Sequence, residues 1–321
     1  MKLNLTNAGE ISIMELLSSK STLPNNEIPN IVSFNEKRIL SCLQVLPSEP
    51  LKFTELMEYL GVNPDNDVEF FDALHELKTK NWIISADDTF AMPQEKQIEI
   101  AKIEPANYED CMYLVSFLVK KLETSIIDSP EYNKYFRYAE SLITKVQANH
   151  VKFVVLTNFV ASYYIDHGDY AKAVNYNALA ISIAERINDP HLAVYYKRIT
   201  EILKNQKKYD KALKYALKLA DLILSKGEQY VDYIELAWVY RSIALLYYET
   251  IDFANAKVYI DKVIEINQLP ITNELFRADV RLQRSIHLAY SISRHLQKYI
   301  KLYFVLLSVF IVFMVTYILF R

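Results

Sequence analysis

Apolar positions along most of this chain recur at intervals of three and four residues, the period of amphipathic helices. From Asn35 to Leu46 the set is Ile39, Leu40, Leu43 and Val45, and Pro47-Ser48-Glu49-Pro50 ends it. Thr54 is placed to cap a second short helix, TELMEYL, closed by Gly61. Asp67 is placed to cap a third, in which Phe70, Phe71, Leu74 and Leu77 face inward. Two short strand-like runs follow, WIIS from Trp82 and TFAM from Thr89, on either side of an Asp87-Asp88 turn. From Asn107 the pattern predicts helical hairpins over 107–125, 130–147, 149–166, 170–187, 191–206, 209–226, 230–249 and 253–267. Asp128-Ser129-Pro130, His167-Gly168-Asp169, Asp189-Pro190, Gly227 and Leu269-Pro270 are the breaks.

The last stretch breaks the amphipathic rule. Residues 302–320, LYFVLLSVFIVFMVTYILF, contain no charge, no Pro and no Gly, and as a helix would be roughly 28 Å long. They predict a transmembrane tail anchor. Arg277, Arg281, Arg284, Arg294, Lys298 and Lys301 precede the span and only Arg321 follows it, which places the long amino-terminal part in the cytoplasm. A bacterial inner membrane is the expected location, with Arg294, Lys298 and Lys301 at the membrane surface. The first twenty residues hold no unbroken apolar run of signal-peptide length.

The expected division is a mobile lead with one short helix (1–32), a small unit (33–100), the hairpin array (105–268), a capping and juxtamembrane helix (271–301) and the span (302–320). Four glycines and ten prolines in 321 residues support a mainly α fold. The net charge of −3 conceals a split, because residues 33–100 carry six Lys and Arg against thirteen Asp and Glu.

The helix and hairpin order over 33–100 resembles a winged helix. A winged helix that reads DNA presents Arg, Lys, Asn or Gln from its third helix to the major groove. Here that helix offers Asp67, Glu69, Asp72 and Glu76, and the turn adds Asp87 and Asp88, so carboxylates would meet phosphates. DNA is therefore not the expected partner.

The hairpins resemble the tetratricopeptide repeat. Ala161, Tyr164, Gly168, Asp169, Tyr170, Ala173 and Ala180 fall at the family's spacing. A second copy keeps Tyr196, Tyr209 and Ala212 but has Thr200 and Leu219 where small residues belong, and a third keeps Tyr240, Ala244, Tyr247, Phe253 and Ala256. Tyr170, Tyr209 and Phe253 lie 39 and 44 residues apart, wider than the usual 34 of the repeat, so the helices are longer. Over roughly 33–268 the order of winged helix and repeats is similar to that portion of bacterial NB-ARC-type (STAND) signalling NTPases. The NTPase is lacking, since Gly9, Gly61, Gly168 and Gly227 are too dispersed for a phosphate-binding loop.

Candidate chemistry is sparse. Cys42 and Cys111 stand among apolar residues and read as buried thiols, and six scattered histidines form no metal-ligand spacing. No catalytic residue, metal or cofactor is expected, and Asp166-His167 reads as a solvated turn. Tyrosines occur in adjacent pairs (163/164, 195/196, 247/248), one of each packing between hairpins and the other free for a partner.

In the repeat family the first helix of each pair lines a groove that binds peptides or helices. Carried over, those positions are Asn158 and Ser162, then Lys197, Glu201 and Lys204, then Trp238, Arg241 and Tyr248. Arg and aromatic residues are common interface anchors. An acidic peptide or helix with apolar anchors is the expected ligand, and Trp238→Ala or Arg241→Ala is expected to weaken it with little effect on folding. The protein reads as a membrane-anchored, cytoplasm-facing scaffold or adaptor and not an enzyme, with homo-oligomerisation open. The alternatives are a membrane-bound transcription regulator, or a regulatory or effector subunit of a bacterial defence or stress-signalling system.

Overall fold

The structure, a computed structural model, describes residues 33–63, 68–227, 231–267 and 276–319, without the side chains at 267, 276, 277, 309, 310 and 312–319. The short helix expected in 1–32, the Asp67 cap, the Leu269-Pro270 turn and residues 271–275 and 320 lie outside these. The described chain is mainly α-helical.

The first unit runs α1 (Phe34–Val45), β1 (Leu51–Lys52), α2 (Phe53–Leu60), α3 (Val68–Thr79), β2 (Ile84–Ala86), β3 (Thr89–Ala91) and α4 (Gln94–Ile103). Ser33 caps α1 by accepting from the Glu36 amide at 3.1 Å, while the Glu36 carboxylate accepts from the Ser33 amide, so two orphan amides are satisfied together. The three strands form one antiparallel sheet ordered β1-β3-β2, with Asp87 at φ +51° in the β2–β3 turn.

Four details differ from the expectation. Helix α2 begins at Phe53, one residue before Thr54, and its entry is fixed by Glu55, whose carboxylate accepts from the Lys52 amide at 3.0 Å. Phe71 does not face inward: it is 49% exposed and stacks on Phe53 at 4.7 Å. Strand β1 is too short to carry a pattern. Helix α4 went unread because Gln97 and Ile100 are its buried residues, and Gln97 is polar. Gln97 donates to the carbonyls of Leu43 (2.7 Å) and Leu46 (3.0 Å), which ties α4 to the end of α1.

Eight helices form the array: α5 (Tyr108–Thr124), α6 (Pro130–Lys145), α7 (Val151–Asp166), α8 (Tyr170–Ile187), α9 (Leu192–Asn205), α10 (Tyr209–Leu224), α11 (Tyr233–Glu249) and α12 (Phe253–Asn267). Polar caps set the starts: Asn107 for α5, Ser129 with Pro130 for α6, Asp169 for α8 and Asp232 for α11. Asn188, left-handed at φ +52°, ends α8.

Close approach within each pair depends on small side chains. Ala173, Ala212 and Ala256, each the fourth residue of its helix, are fully buried, as are Ala161 and Ala244 on the facing helices. Thr200 replaces the alanine there without leaving an orphan group, since its hydroxyl donates to the Tyr196 carbonyl at 2.8 Å.

The first unit shares one continuous core with the array. Helix α6 grips it through polar pins: Ser141 donates to the Val45 carbonyl at 2.6 Å, Lys145 to the Gln44 carbonyl at 2.9 Å, and Lys134 pairs with Glu55 at 2.5 Å. Tyr138 donates to Glu49 from the same helix. On the other side Gly61, at φ +64°, lies so close to the Tyr113 ring that a β-carbon there would stand 2.3 Å from it, so the contact requires glycine. Cys42 and Cys111 are buried free thiols, and burial pushes Cys111 up to about 12.

Helix α13 (Phe276–Leu319) is continuous, joining the expected capping helix and the apolar segment without a break. Among the described residues no helix is long and apolar enough to cross a membrane; the charge-free segment falls partly outside them.

Candidate protein-interaction face

Side-chain contacts show that the first helices of successive pairs stand side by side. Arg198 on α9 donates to the Asn158 carbonyl oxygen of the side chain and, at 2.8 Å, to the Ser162 hydroxyl, both on α7. The Lys197 ammonium lies 4.4 Å from the centre of the Trp238 ring on α11. Arg241, also on α11, forms an ion pair with Asp279 on α13. Lys152 of α7 donates to Ser116 of α5 at 2.8 Å, extending the series to the first pair.

Contacts thus link Asn158 and Ser162 to Arg198, and Lys197 to Trp238, and most of the polar groups on these helices are occupied. Asn158 and Ser162 hold Arg198. Lys204 is paired with Glu201 at 2.6 Å, and Arg241 with the buried Asp279. Arg241 thus joins α11 to α13 through Asp279. Lys197 has a ring partner and no ion pair among the described residues.

Apolar contact is what the face leaves open. Val194, Lys197, Glu201 and Lys204 lie at helical spacing on α9, as do Ile234, Trp238, Arg241 and Tyr248 on α11. Val194 and Ile234 are 51% and 52% exposed, and Tyr248 is exposed at the far end of its stripe beside Phe253. Sequence reasoning missed Val194 and Ile234, although their place one turn before Lys197 and Trp238 was a usable signal. It also missed Arg198 and Asp279, whose partners are distant in the chain.

The tyrosine pairs divide less simply than expected. Tyr195 and Tyr196 are both buried, and Tyr163 stacks between Phe136 and His167 at 3.8 and 3.9 Å. The opposite edge of the pairs carries tyrosine–carboxylate pins. Glu140 accepts from Tyr164 at 2.5 Å and Tyr176 at 3.0 Å, while Glu185 accepts from Tyr196 at 2.5 Å and Lys218 at 2.7 Å. Burial is the largest cause raising all three phenols, reinforced by the adjacent carboxylates. These phenols stay protonated as donors.

On the first unit the exposed side of α3 carries Glu69, Asp72 and Glu76, with Asp87 and Asp88 exposed at the turn. Glu76 is engaged by Lys80 at 3.3 Å, and Lys80 also reaches the buried Glu36 at 2.6 Å. His167, at the α7–α8 turn, pairs with Asp128 at 3.0 Å.

No family model matches the chain, and the search of curated proteins finds no match. Among solved structures it is similar to a signal transduction ATPase with numerous domains (STAND) carrying a tetratricopeptide repeat sensor, from Pyrococcus horikoshii. Identity is 15%, TM-score 0.39, and the match covers 84% of this chain and 51% of that one, so the chain spans about half that protein's length. It is also similar to BtubC (BKLC) from P. vanneervenii, at 19% identity and TM-score 0.41, over 57% of this chain and 72% of that chain.

Proposed function

We propose that the chain is a non-catalytic scaffold whose tetratricopeptide-like repeats hold a partner protein at a cytoplasmic membrane surface. The winged-helix unit (33–100) serves as a base for the array (105–268) rather than as a DNA reader. Residues 302–320 are the anchor, a reading supported by their uncharged sequence and by the Lys and Arg excess before them. Arg294, Lys298 and Lys301 lie at the lipid headgroups.

The observation that carries the reading is the apolar row on the first-helix face. Val194 and Ile234 are half exposed one turn before Lys197 and Trp238, while Glu201, Lys204 and Arg241 are already paired within the chain. An interface core needs apolar groups that lose water without stranding polar ones. The partner that fits is a helical or extended segment with apolar anchors and one acidic group for Lys197.

The test is purification of the full-length protein from carbonate-washed membranes beside its Val194→Asp variant. A protein recovered with the parent and depleted about tenfold with the variant, as a lost interface anchor demands, supports the reading. Release of the parent by carbonate contradicts the anchor, and equal recovery of every companion contradicts the face.

A further inference from the structure

Helix α13 leaves the array after Ile286, its last fully buried side chain among the described ones. Beyond it Ala289, Ile292, Leu296, Tyr299, Tyr303 and Leu306 follow one another at alternating intervals of three and four residues. That is the 3.5-residue repeat of a coiled-coil seam. From Ile292 onward these five side chains are between 50% and 66% exposed, a stripe without a partner among the described residues and more than twenty ångströms long, at about 1.5 Å per residue.

The charges are arranged around that stripe in a specific way. Leu288, Ser293, His295, Ile300 and Leu302 flank it, and none of them carries a permanent charge. Arg294, Lys298 and Lys301 all fall on the far side of the helix. A second identical helix can therefore meet the stripe without bringing like charges together. An acidic partner helix would find its complement on the opposite face, where there is no seam.

We propose that α13 pairs with α13 of a second copy as a parallel coiled coil through Ile292, Leu296, Tyr299 and Tyr303. Parallel order rests on the anchoring reading, since two chains held in one membrane by the same segment point the same way. The seam itself does not rest on it. Pairing would set two arrays side by side, each with its first-helix face free, so the scaffold would present its partner site in duplicate. The aqueous part of the seam covers only about two heptads, marginal for an isolated helix, so the continuing segment and confinement to a bilayer contribute to its stability.

The experiment is disulfide scanning of the full-length protein in native membranes, with one new cysteine at a time. Cys42 and Cys111 are buried and give little background. Leu296→Cys and Tyr299→Cys are expected to cross-link to a covalent dimer under mild oxidation, and Gln297→Cys and Lys298→Cys to remain monomeric. Uniform cross-linking at all four positions, or none, would overturn the seam. As a second readout, Leu296→Lys should raise the dimer dissociation constant of detergent-solubilised protein by about tenfold or more, because it buries like charges at the seam. Lys298→Glu should leave it within about twofold, as for a residue pointing away from the partner. An unchanged constant for Leu296→Lys counts against the seam even if cross-links form. Dimers that cross-link in carbonate-released protein would support the seam while contradicting the anchor.

Discussion

Arg241 of α11 reaches Asp279 of α13, which is only 2% exposed, so the long last helix is fastened to the array by an ion pair of which one member is almost wholly removed from water. Breaking such a pair costs most when the stranded charge is the buried one. Arg241 is a quarter exposed and can rehydrate, whereas Asp279 is buried and keeps only its remaining contacts.

The two truncations should therefore be unequal. Arg241→Ala is expected to destabilise the protein by about 3–5 kcal/mol, and Asp279→Ala by less. Urea unfolding followed by circular dichroism measures both. Equal and small losses would show that the pair does not hold α13.

Asn177 offers the opposite sign. It is fully buried on α8, and neither its amide nitrogen nor its oxygen has a hydrogen-bond partner among the described residues. Ala216 and Ile260, eighth residues of α10 and α12 as Asn177 is of α8, are apolar. Replacing it as Asn177→Leu should stabilise the array by roughly 1–3 kcal/mol, the cost of an unsatisfied buried polar group. A lower melting temperature would mean that the side chain has a partner such as a bound water.

What the sequence made legible follows from where each signal is local. Helix pairs from α5 to α12 were readable within three residues, because Ala173, Ala212 and Ala256 recur at one place and Asp169, Ser129 and Pro130 mark starts. Helix α4 was not, since its inward face includes Gln97. The occupancy of the polar groups on the first helices was not legible either: Arg198 meets Asn158 forty residues away, and Asp279 meets Arg241 thirty-eight away. Helical periodicity places a residue on a face and says nothing of which distant charge it will meet.

Acid should loosen the array in a defined window. Burial alone would raise the Glu185 carboxyl, but hydrogen bonds from Lys218 and Tyr196 outweigh it and hold it below its ordinary value of 4.5. Asp261 on α12 is held below 3.8 in the same way, its burial outweighed by Lys257, Gln283 and His287. A depressed carboxylate stabilises the fold above its unfolded value, and that contribution is lost as pH falls through the folded value. Glu185→Gln should thus lower the urea midpoint at pH 7, and the gap from the parent should shrink steadily below pH 4.5. A gap independent of pH would assign the loss to packing.

The central claim is that a protein partner sits on the first-helix face while the chain is held in a membrane. Its most direct measurement is photo-cross-linking in intact cells from an unnatural aromatic residue placed at Val194, with the same residue at Ile84 on the first unit as the comparison. Both positions are at least half exposed. The account predicts a discrete adduct with another protein from Val194, in the membrane fraction, abolished by Trp238→Ala and absent from Ile84. An adduct from Ile84 alone, or one at Val194 indifferent to Trp238→Ala, would contradict it.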